Sequence, residues 1–429
     1  MKIVYLTAGA AGMYCGSCMH DNALAKAILA AGHECLLQPL YTPIRTDEAS
    51  VASDRLFFGG IHIYLLDRMP WMGKLPRPLR RLLDFPPLVR WVTRRARSTD
   101  ADRLGHLTVS MLAGEHGPQA DEVARLADWL ASEQPDALVL TNLLIGGSLP
   151  VLRRKLPNTR FVVLLQGDDI FLDHLSKDYQ QQVRTQLRQL VPHVDHLIVN
   201  SDYYAALMAE LLDVPQDRFV IHPLTIDTTG YPTEWTPLQL PPDAAQQPFR
   251  IGYLARLAPE KGFDRLVDAF IEFAANRPNV HLEAAGYLAE TNADWKAAQV
   301  EKIRQARLMD RWHDRGSISL EEKIRWLGTL DVLCVPTRYR DPKGLFTLEA
   351  LAAGTPVVMP DHGALGELVR HCGGGLTFAP EDERDMQRAL AAMYESDDLR
   401  QQSAATGHAK VHQEHTIEKA AQRLLELLR

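Results

Sequence analysis

Short apolar runs alternate with helix-forming stretches along almost the whole chain, and this alternation narrows the possible folds more than any other feature. Residues 1–6 read as a buried strand, 7–12 as a loop containing Gly9 and Gly12, and 22–33 as a helix stopped near Gly32. The opening could also be taken for a short signal peptide, but strand, glycine loop and helix in succession predict the first unit of a doubly wound sheet. Residues 137–140, 161–165 and 196–199 repeat the apolar strand pattern with helical stretches between them. Strands separated by helices argue for a parallel sheet covered on both faces, an α/β class of fold.

The pattern breaks around 230–247, where Pro232, Pro237, Pro241, Pro242 and the adjoining Pro248 cluster with polar residues. Such a stretch reads as an interdomain linker. Beyond it the alternation restarts, with strands predicted at 249–254, 280–285, 332–335 and 356–359, a helix at 263–276 and a final helix at 416–429. The expected organisation is an N-terminal domain over 1–235, a second α/β domain over 249–410, and a closing segment, 411–429, crossing back toward the first. Ligands of such proteins bind at the carboxyl ends of the strands.

Charge and cysteine content exclude several classes. Lys plus Arg total 47 and Asp plus Glu 54, so the formal charge is 47 − 54 = −7, which argues against a general nucleic-acid binder. Five cysteines in a chain of this length make no disulfide framework. No apolar run reaches the ~20 residues of a membrane-spanning helix, so a soluble, cytoplasmic protein is expected. Residues 68–97 differ from the rest: Arg77, Arg80, Arg81, Arg94 and Arg95 stand there against the single acid Asp84, interleaved with Trp71, Phe85 and Trp91. A solvated helical insertion would look like this, and so would an element resting on an anionic membrane surface.

The residues suited to chemistry concentrate in the second half. Arg256 and Lys261 follow a strand and precede a helix, where free N–H groups and the macrodipole already favour anions. A guanidinium fork and an ammonium point charge together suit a diphosphate; a pair of exposed strand-end cations is the competing reading. Further on, Asp341 and Glu349 lie eight positions apart around Gly344, one in a loop and one on the helix that follows. Gly344 would let the backbone approach a ligand closely at that helix start. Cys15 and Cys18 form a C-x-x-C at a predicted helix N-terminus, open to redox or metal chemistry or to plain loop packing.

These two motifs, in this order and spacing, resemble those of the retaining glycosyltransferases of family 4. The resemblance runs over nearly the whole chain and is strongest from 251 to 368. It implies the GT-B fold, two Rossmann-like doubly wound domains facing across a cleft. It also implies that Arg256 and Lys261 hold the diphosphate of a nucleotide-sugar donor, that Glu349 bonds the ribose hydroxyls, that Asp341 touches the donor sugar, and that the N–H groups of Leu345 and Phe346 after Gly344 cap the phosphates. Three positions depart from the family: Asp341 stands where Glu is usual, Lys343 where Phe is often found, and Gln166 where a His usually bonds the donor sugar. Gln166 can still donate and accept hydrogen bonds. Gly16 corresponds to the family's first glycine-rich loop, and Asp227 to the aspartate that ends its first domain.

The activity so implied is transfer of a sugar, with retention, from a nucleotide-diphosphate sugar to an acceptor hydroxyl. The incoming hydroxyl would attack on the face that the diphosphate leaves, with a phosphate oxygen as base, so neither a side-chain nucleophile nor an essential metal or other cofactor is expected. The implied partners are the nucleotide-sugar donor and a sugar, lipid-linked or small-molecule acceptor, with peripheral contact to an anionic membrane through 68–97. Two other readings stay open: a phosphorylase- or sucrose-type enzyme of the same fold, and a non-catalytic nucleotide-sugar binder.

Overall fold

The structure, a computed structural model, describes residues 1–9, 16–42, 44, 50–53, 57, 101–236 and 248–429. The basic stretch 68–97 lies outside these residues, as do Cys15 and Pro237, Pro241 and Pro242. The chain divides into two compact units: Met1–His222 with Ala421–Arg429, and Pro223–Ala420.

The first unit is built on six parallel strands, β1 (Lys2–Thr7), β2 (Glu34–Pro39), β3 (Ala137–Leu140), β4 (Arg160–Leu164), β5 (His196–Val199) and β6 (Phe219–Ile221), in the order β2-β1-β3-β4-β5-β6. β1 sits between two neighbours, pairing Ile3 with Cys35 on one side and with Ala137 on the other. Because both sheet faces are covered, its side chains Ile3 to Leu6 are buried without alternation. Each such aliphatic side chain contributes roughly 1.5–3 kcal/mol relative to exposure. The chain steps from β1 outward to β2, then returns across β1 to begin β3. That reversal, between β1 and β3, is where a doubly wound sheet opens a crevice at its strand ends.

The second unit repeats the plan with β7 (Phe249–Leu254), β8 (Val280–Ala285), β9 (Trp312–Gly316), β10 (Val332–Cys334), β11 (Val357–Pro360) and β12 (Gly375–Phe378), in the order β12-β11-β10-β7-β8-β9. All of its strand pairs are parallel. Here the reversal lies between β7 and β10, with Val332 paired to Ile251. The loops leaving β7 and β10 are therefore neighbours, and they carry the two motifs singled out above. The helix Phe263–Ala274 buries Phe263, Leu266, Val267 and Phe270 against this sheet, the i, i+3, i+4, i+7 spacing of a helix with one apolar face. Among the described residues no helix is long and apolar enough to cross a membrane.

Candidate functional site

The β7 loop is short. After Leu254 it passes Arg256, makes a single tight turn over Pro259–Lys261, and enters the helix Phe263–Ala274 through Gly262. Gly262 has φ +74°, and a Cβ there would lie 1.9 Å from the carbonyl oxygen of Pro336. Only glycine lets the β7 loop pack this closely on the β10 loop. The Arg338 N–H closes the seam by donating to the Glu260 carbonyl at 2.9 Å, and the Arg338 guanidinium pairs with Asp264 at 2.9 and 2.7 Å.

Across that seam Lys261 meets Asp341. Its Nζ donates to Asp341 Oδ2 at 2.8 Å and also to the Tyr339 hydroxyl. Tyr339 in turn donates to the same Oδ2 at 2.9 Å. The other oxygen, Oδ1, accepts the N–H groups of Lys343 at 3.0 Å and Gly344 at 3.3 Å. Asp341 is 4% exposed. Burial alone would raise its pKa, but the charge and hydrogen bond of Lys261, with those of Lys343 N–H and Tyr339, overcome burial and hold the carboxyl below its ordinary value. A carboxylate has about four acceptor positions, and here four donors take them. Lys261 has three N–H groups, of which Asp341 and Tyr339 use two. The rings of Tyr339 and Phe346 lie 4.8 and 5.5 Å from its Nζ.

One carboxylate thus ties the cation to the start of the helix Leu345–Ala352. Gly344 caps that helix with φ +74° and offers no side-chain cap. The first N–H groups of a helix have no carbonyl within it, so those of Leu345 and Phe346 point out of its N-terminus with the positive end of the dipole. Glu349, on the same helix, is partly buried and accepts from Lys323 Nζ at 2.7 Å. Arg256 behaves differently from Lys261: it is exposed and pairs with Glu260 at 2.6 Å, within its own loop. Arg256, Lys261, Asp341, Gly344, Leu345, Phe346 and Glu349 therefore all lie around the strand reversal of the second unit.

Gly16 and Gln166 belong to the first unit. Gly16 begins the helix Gly16–Ala30. Gln166 follows β4 and donates through Nε2 to Asp21 Oδ1 at 3.2 Å. Asp21 is fully buried. Beyond Gln166 it accepts from the hydroxyls of Tyr5 at 2.7 Å, Thr7 at 2.8 Å and Thr141. Its position was open to sequence reasoning, since Leu24, Ala25 and Ile28, at i+3, i+4 and i+7, are buried with it on one helix face. Next to Gln166, Asp168 is buried and accepts from the N–H groups of Leu143 at 2.9 Å and Gln166 at 3.1 Å. Burial pushes its carboxyl up to about 6, despite these amides. Asp227 accepts from Thr229 N–H at 2.8 Å, an Asx turn at the start of the second unit. Cys18 is buried and forms no disulfide among the described residues, and among those residues no cluster of three or more His, Cys, Asp or Glu is arranged to hold a metal.

Tyr339 and Lys323 escaped the sequence analysis. Tyr339 lies only two residues before Asp341, a spacing that could have drawn notice, whereas Lys323 reaches Glu349 across 26 residues of chain and carries no local signal.

Both halves of the chain resemble known proteins. Residues 241–409 match the family of glycosyl transferases group 1, and residues 22–225 match the glycosyl transferase 4-like domain. The chain is 29% identical to the lipopolysaccharide core biosynthesis mannosyltransferase LpsB of Rhizobium meliloti, over 54% of this chain and 64% of that protein. It is 30% identical to glycogen synthase of Mycobacterium tuberculosis, over 39% of this chain and 42% of the other. The D-inositol 3-phosphate glycosyltransferase of a Nocardioides species matches at 29% identity, over 51% of this chain and 50% of the relative. The chain spans about half the length of these relatives. Among solved structures, sucrose-phosphate synthase from Thermosynechococcus elongatus superimposes with a TM-score of 0.68 at 18% identity, covering 100% of this chain and 98% of the other. Anabaena HepE in complex with UDP gives 0.69 at 16% identity, covering 100% and 99%. The fold of the chain is GT-B.

Proposed function

The chain belongs to the glycosyltransferase group 1 family, and on that footing we propose that it transfers a sugar, with retention, from a nucleotide-diphosphate sugar to an acceptor hydroxyl. The observation that carries this reading is the Lys261–Asp341 pair joined to the Gly344 helix start at the β7/β10 reversal. It presents an ammonium with one N–H to spare beside unpaired amide N–H groups, a fit for phosphate oxygens.

In this reading the leaving diphosphate gathers negative charge as the glycosidic bond breaks. Lys261, Arg256 and the N–H groups of Leu345 and Phe346 stabilise that charge from fixed positions. Arg256 exchanges its exposed contact with Glu260 for the diphosphate, a change that costs little because such surface pairs contribute about 0–1 kcal/mol. Asp341 has all its acceptor positions filled, so it acts through Lys261, holding the ammonium in place and charged, rather than on the sugar. Glu349 takes the ribose. Gln166 and the Gly16 helix belong to the first unit and serve the transferred sugar and its acceptor. No metal is needed, because the cations that neutralise the diphosphate are side chains. The relatives named above act on lipopolysaccharide, glycogen and inositol phosphate, so the acceptor class is a glycan, a glycolipid or a small hydroxylated molecule. A cytoplasmic location belongs to the same reading.

Incubation with UDP-, GDP- and ADP-sugars, with and without candidate acceptors, tests this directly. The expected result is nucleotide release from one donor, accelerated by an acceptor, with the product keeping the donor's anomeric configuration. A protein that binds nucleoside diphosphate yet turns over no donor with any acceptor would be a binder only.

A further inference from the structure

Apart from the Lys261–Asp341 site, the second unit holds a cavity of about 730 Å³ lined by Arg265, Arg338, Glu381, Asp382 and Arg384. These residues follow β7, β10 and β12, so the cavity stands at the carboxyl ends of the strands. Two neighbouring side chains of the β10 loop divide between the two places. Tyr339 bonds Lys261 and Asp341, while Arg338, which lines the cavity, pairs with Asp264. The other charges are unevenly committed. Asp382 caps the helix Glu383–Glu395 by accepting from Arg384 N–H at 2.9 Å, and it also takes Arg388 at 3.1 Å. Arg265, partly buried, donates to the Pro380 carbonyl at 2.5 Å and has no carboxylate partner among the described residues. The Arg384 guanidinium and the Glu381 carboxylate likewise form no hydrogen bond or ion pair among those residues. Two guanidiniums without an acid and one carboxylate without a donor therefore line the same space.

We propose that this cavity is a second binding site, for a small phosphate ester of a hydroxylated molecule, with Arg265 and Arg384 taking the phosphate and Glu381 a hydroxyl. A guanidinium offers five N–H donors in a planar fork that fits phosphate oxygens, and Arg265 gives only one of them to Pro380. Arg338 keeps Asp264 and adds positive potential to the wall. Glu381 sets the rest of the ligand: an ionised carboxylate repels a bare anion but accepts from a hydroxyl. Size agrees, because the cavity falls within the roughly 300–1,000 Å³ of small-molecule sites and has room beyond a phosphate ion. The proposal stands on this cavity alone and does not depend on the sugar-transfer reading.

Calorimetry on the full chain tests it with glucose 6-phosphate and glycerol 3-phosphate as esters, and with glucose and inorganic phosphate as their parts. Each titration is run with the tightest binder among UDP, GDP and ADP at saturation, so that the diphosphate site is filled. Should none of the three bind, the titrations are run without nucleotide, and the failure counts against the diphosphate reading alone. At least one ester is expected to bind about tenfold or more tighter than either part, the scale of a charge-assisted hydrogen bond. Arg384→Gln and Arg265→Gln should each weaken the ester by a similar factor. Arg384 has no partner to lose, so its variant carries the reading if Arg265→Gln, deprived of the Pro380 contact, melts early. Glu381→Gln should erase the preference for the ester over inorganic phosphate. Binding of neither ester, displacement of the ester by the nucleotide, or full ester affinity in Arg384→Gln overturns the proposal. So does a wild type that holds inorganic phosphate as tightly as the ester.

Discussion

The two units reverse their strand order in the same way, yet they fill the resulting crevice with opposite chemistry. At the β1/β3 reversal the buried carboxylate Asp21 is satisfied by three hydroxyls and an amide, all neutral. Its neighbour Asp168 is held by two backbone N–H groups. At the β7/β10 reversal the buried carboxylate Asp341 faces an ammonium, with a guanidinium in the same loop. Neutral donors can anchor a carboxylate and orient hydroxyl-bearing ligands, but they leave no net positive charge. The second arrangement sets two cations beside a helix start, and it is there that we propose an anionic leaving group binds. On this proposal one topology serves two tasks, and what separates them is whether neutral or cationic donors stand at the strand ends.

The strongest way to break this comparison is Lys261→Ala. Removing the ammonium strips a transition-state contact of about 2–4 kcal/mol from turnover. It also leaves Asp341 buried without its cation, a loss of roughly 3–5 kcal/mol in stability. The double change Lys261→Ala with Asp341→Asn should recover most of the stability and none of the turnover. Thermal melts alongside steady-state rates would show this; recovery of both together would mean that Lys261 serves the fold alone.

Arg256→Ala should be the cleaner cut. The side chain is 55% exposed and its partner Glu260 is exposed too, so stability should shift by under about 1 kcal/mol. Turnover should fall by the equivalent of about 2–4 kcal/mol. A rate near that of the wild type would remove Arg256 from the diphosphate site.

A gentler probe uses acid. Burial raises the folded-state value of Asp168 to about 6, so between its unfolded value and about 6 the folded protein holds the proton that the unfolded chain releases. Stability from this group is complete below its unfolded value and is lost as pH rises toward about 6. Asp341 runs the other way: its folded value is depressed, so its contribution is present above the unfolded value and lost as pH falls through the folded one. Denaturation curves between pH 3 and 7 should therefore shift in opposite directions for Asp168→Asn and Asp341→Asn relative to the wild type, by on the order of 2–3 kcal/mol for Asp168. Parallel shifts would show that the two carboxylates sit in equivalent surroundings.

Much of this contrast was readable in the amino-acid order, and the exceptions have physical causes. Strands such as Ala137–Leu140, Phe249–Leu254 and Val280–Ala285 announce themselves as apolar runs because they lie inside their sheets. The strand Trp312–Gly316 lies at a sheet edge, with His313, Asp314 and Arg315 exposed, and the lone buried Trp312 makes no apolar run to mark it. Arg256, Lys261, Gly344 and Glu349 stand out because loop and helix start are local and their residue types are unusual there. Partners brought by folding are a different matter. Asp21 collects Thr141 and Gln166 from 120 and 145 residues away. No spacing in the chain predicts those contacts. Asp341 itself was visible, but its surroundings, with Lys261, Tyr339 and two amides filling its acceptor positions, emerge only from the packing of the β7 and β10 loops.

The central claim is that the β7/β10 reversal binds a diphosphate through side-chain cations. Calorimetry with a nucleoside diphosphate and the matching monophosphate, on the wild type and on Arg256→Ala, tests it most directly. The wild type should bind the diphosphate at least about tenfold tighter, from the extra charge-assisted contacts, and Arg256→Ala should narrow that gap while monophosphate binding holds steady. Equal affinity of the wild type for the two nucleotides would contradict the account.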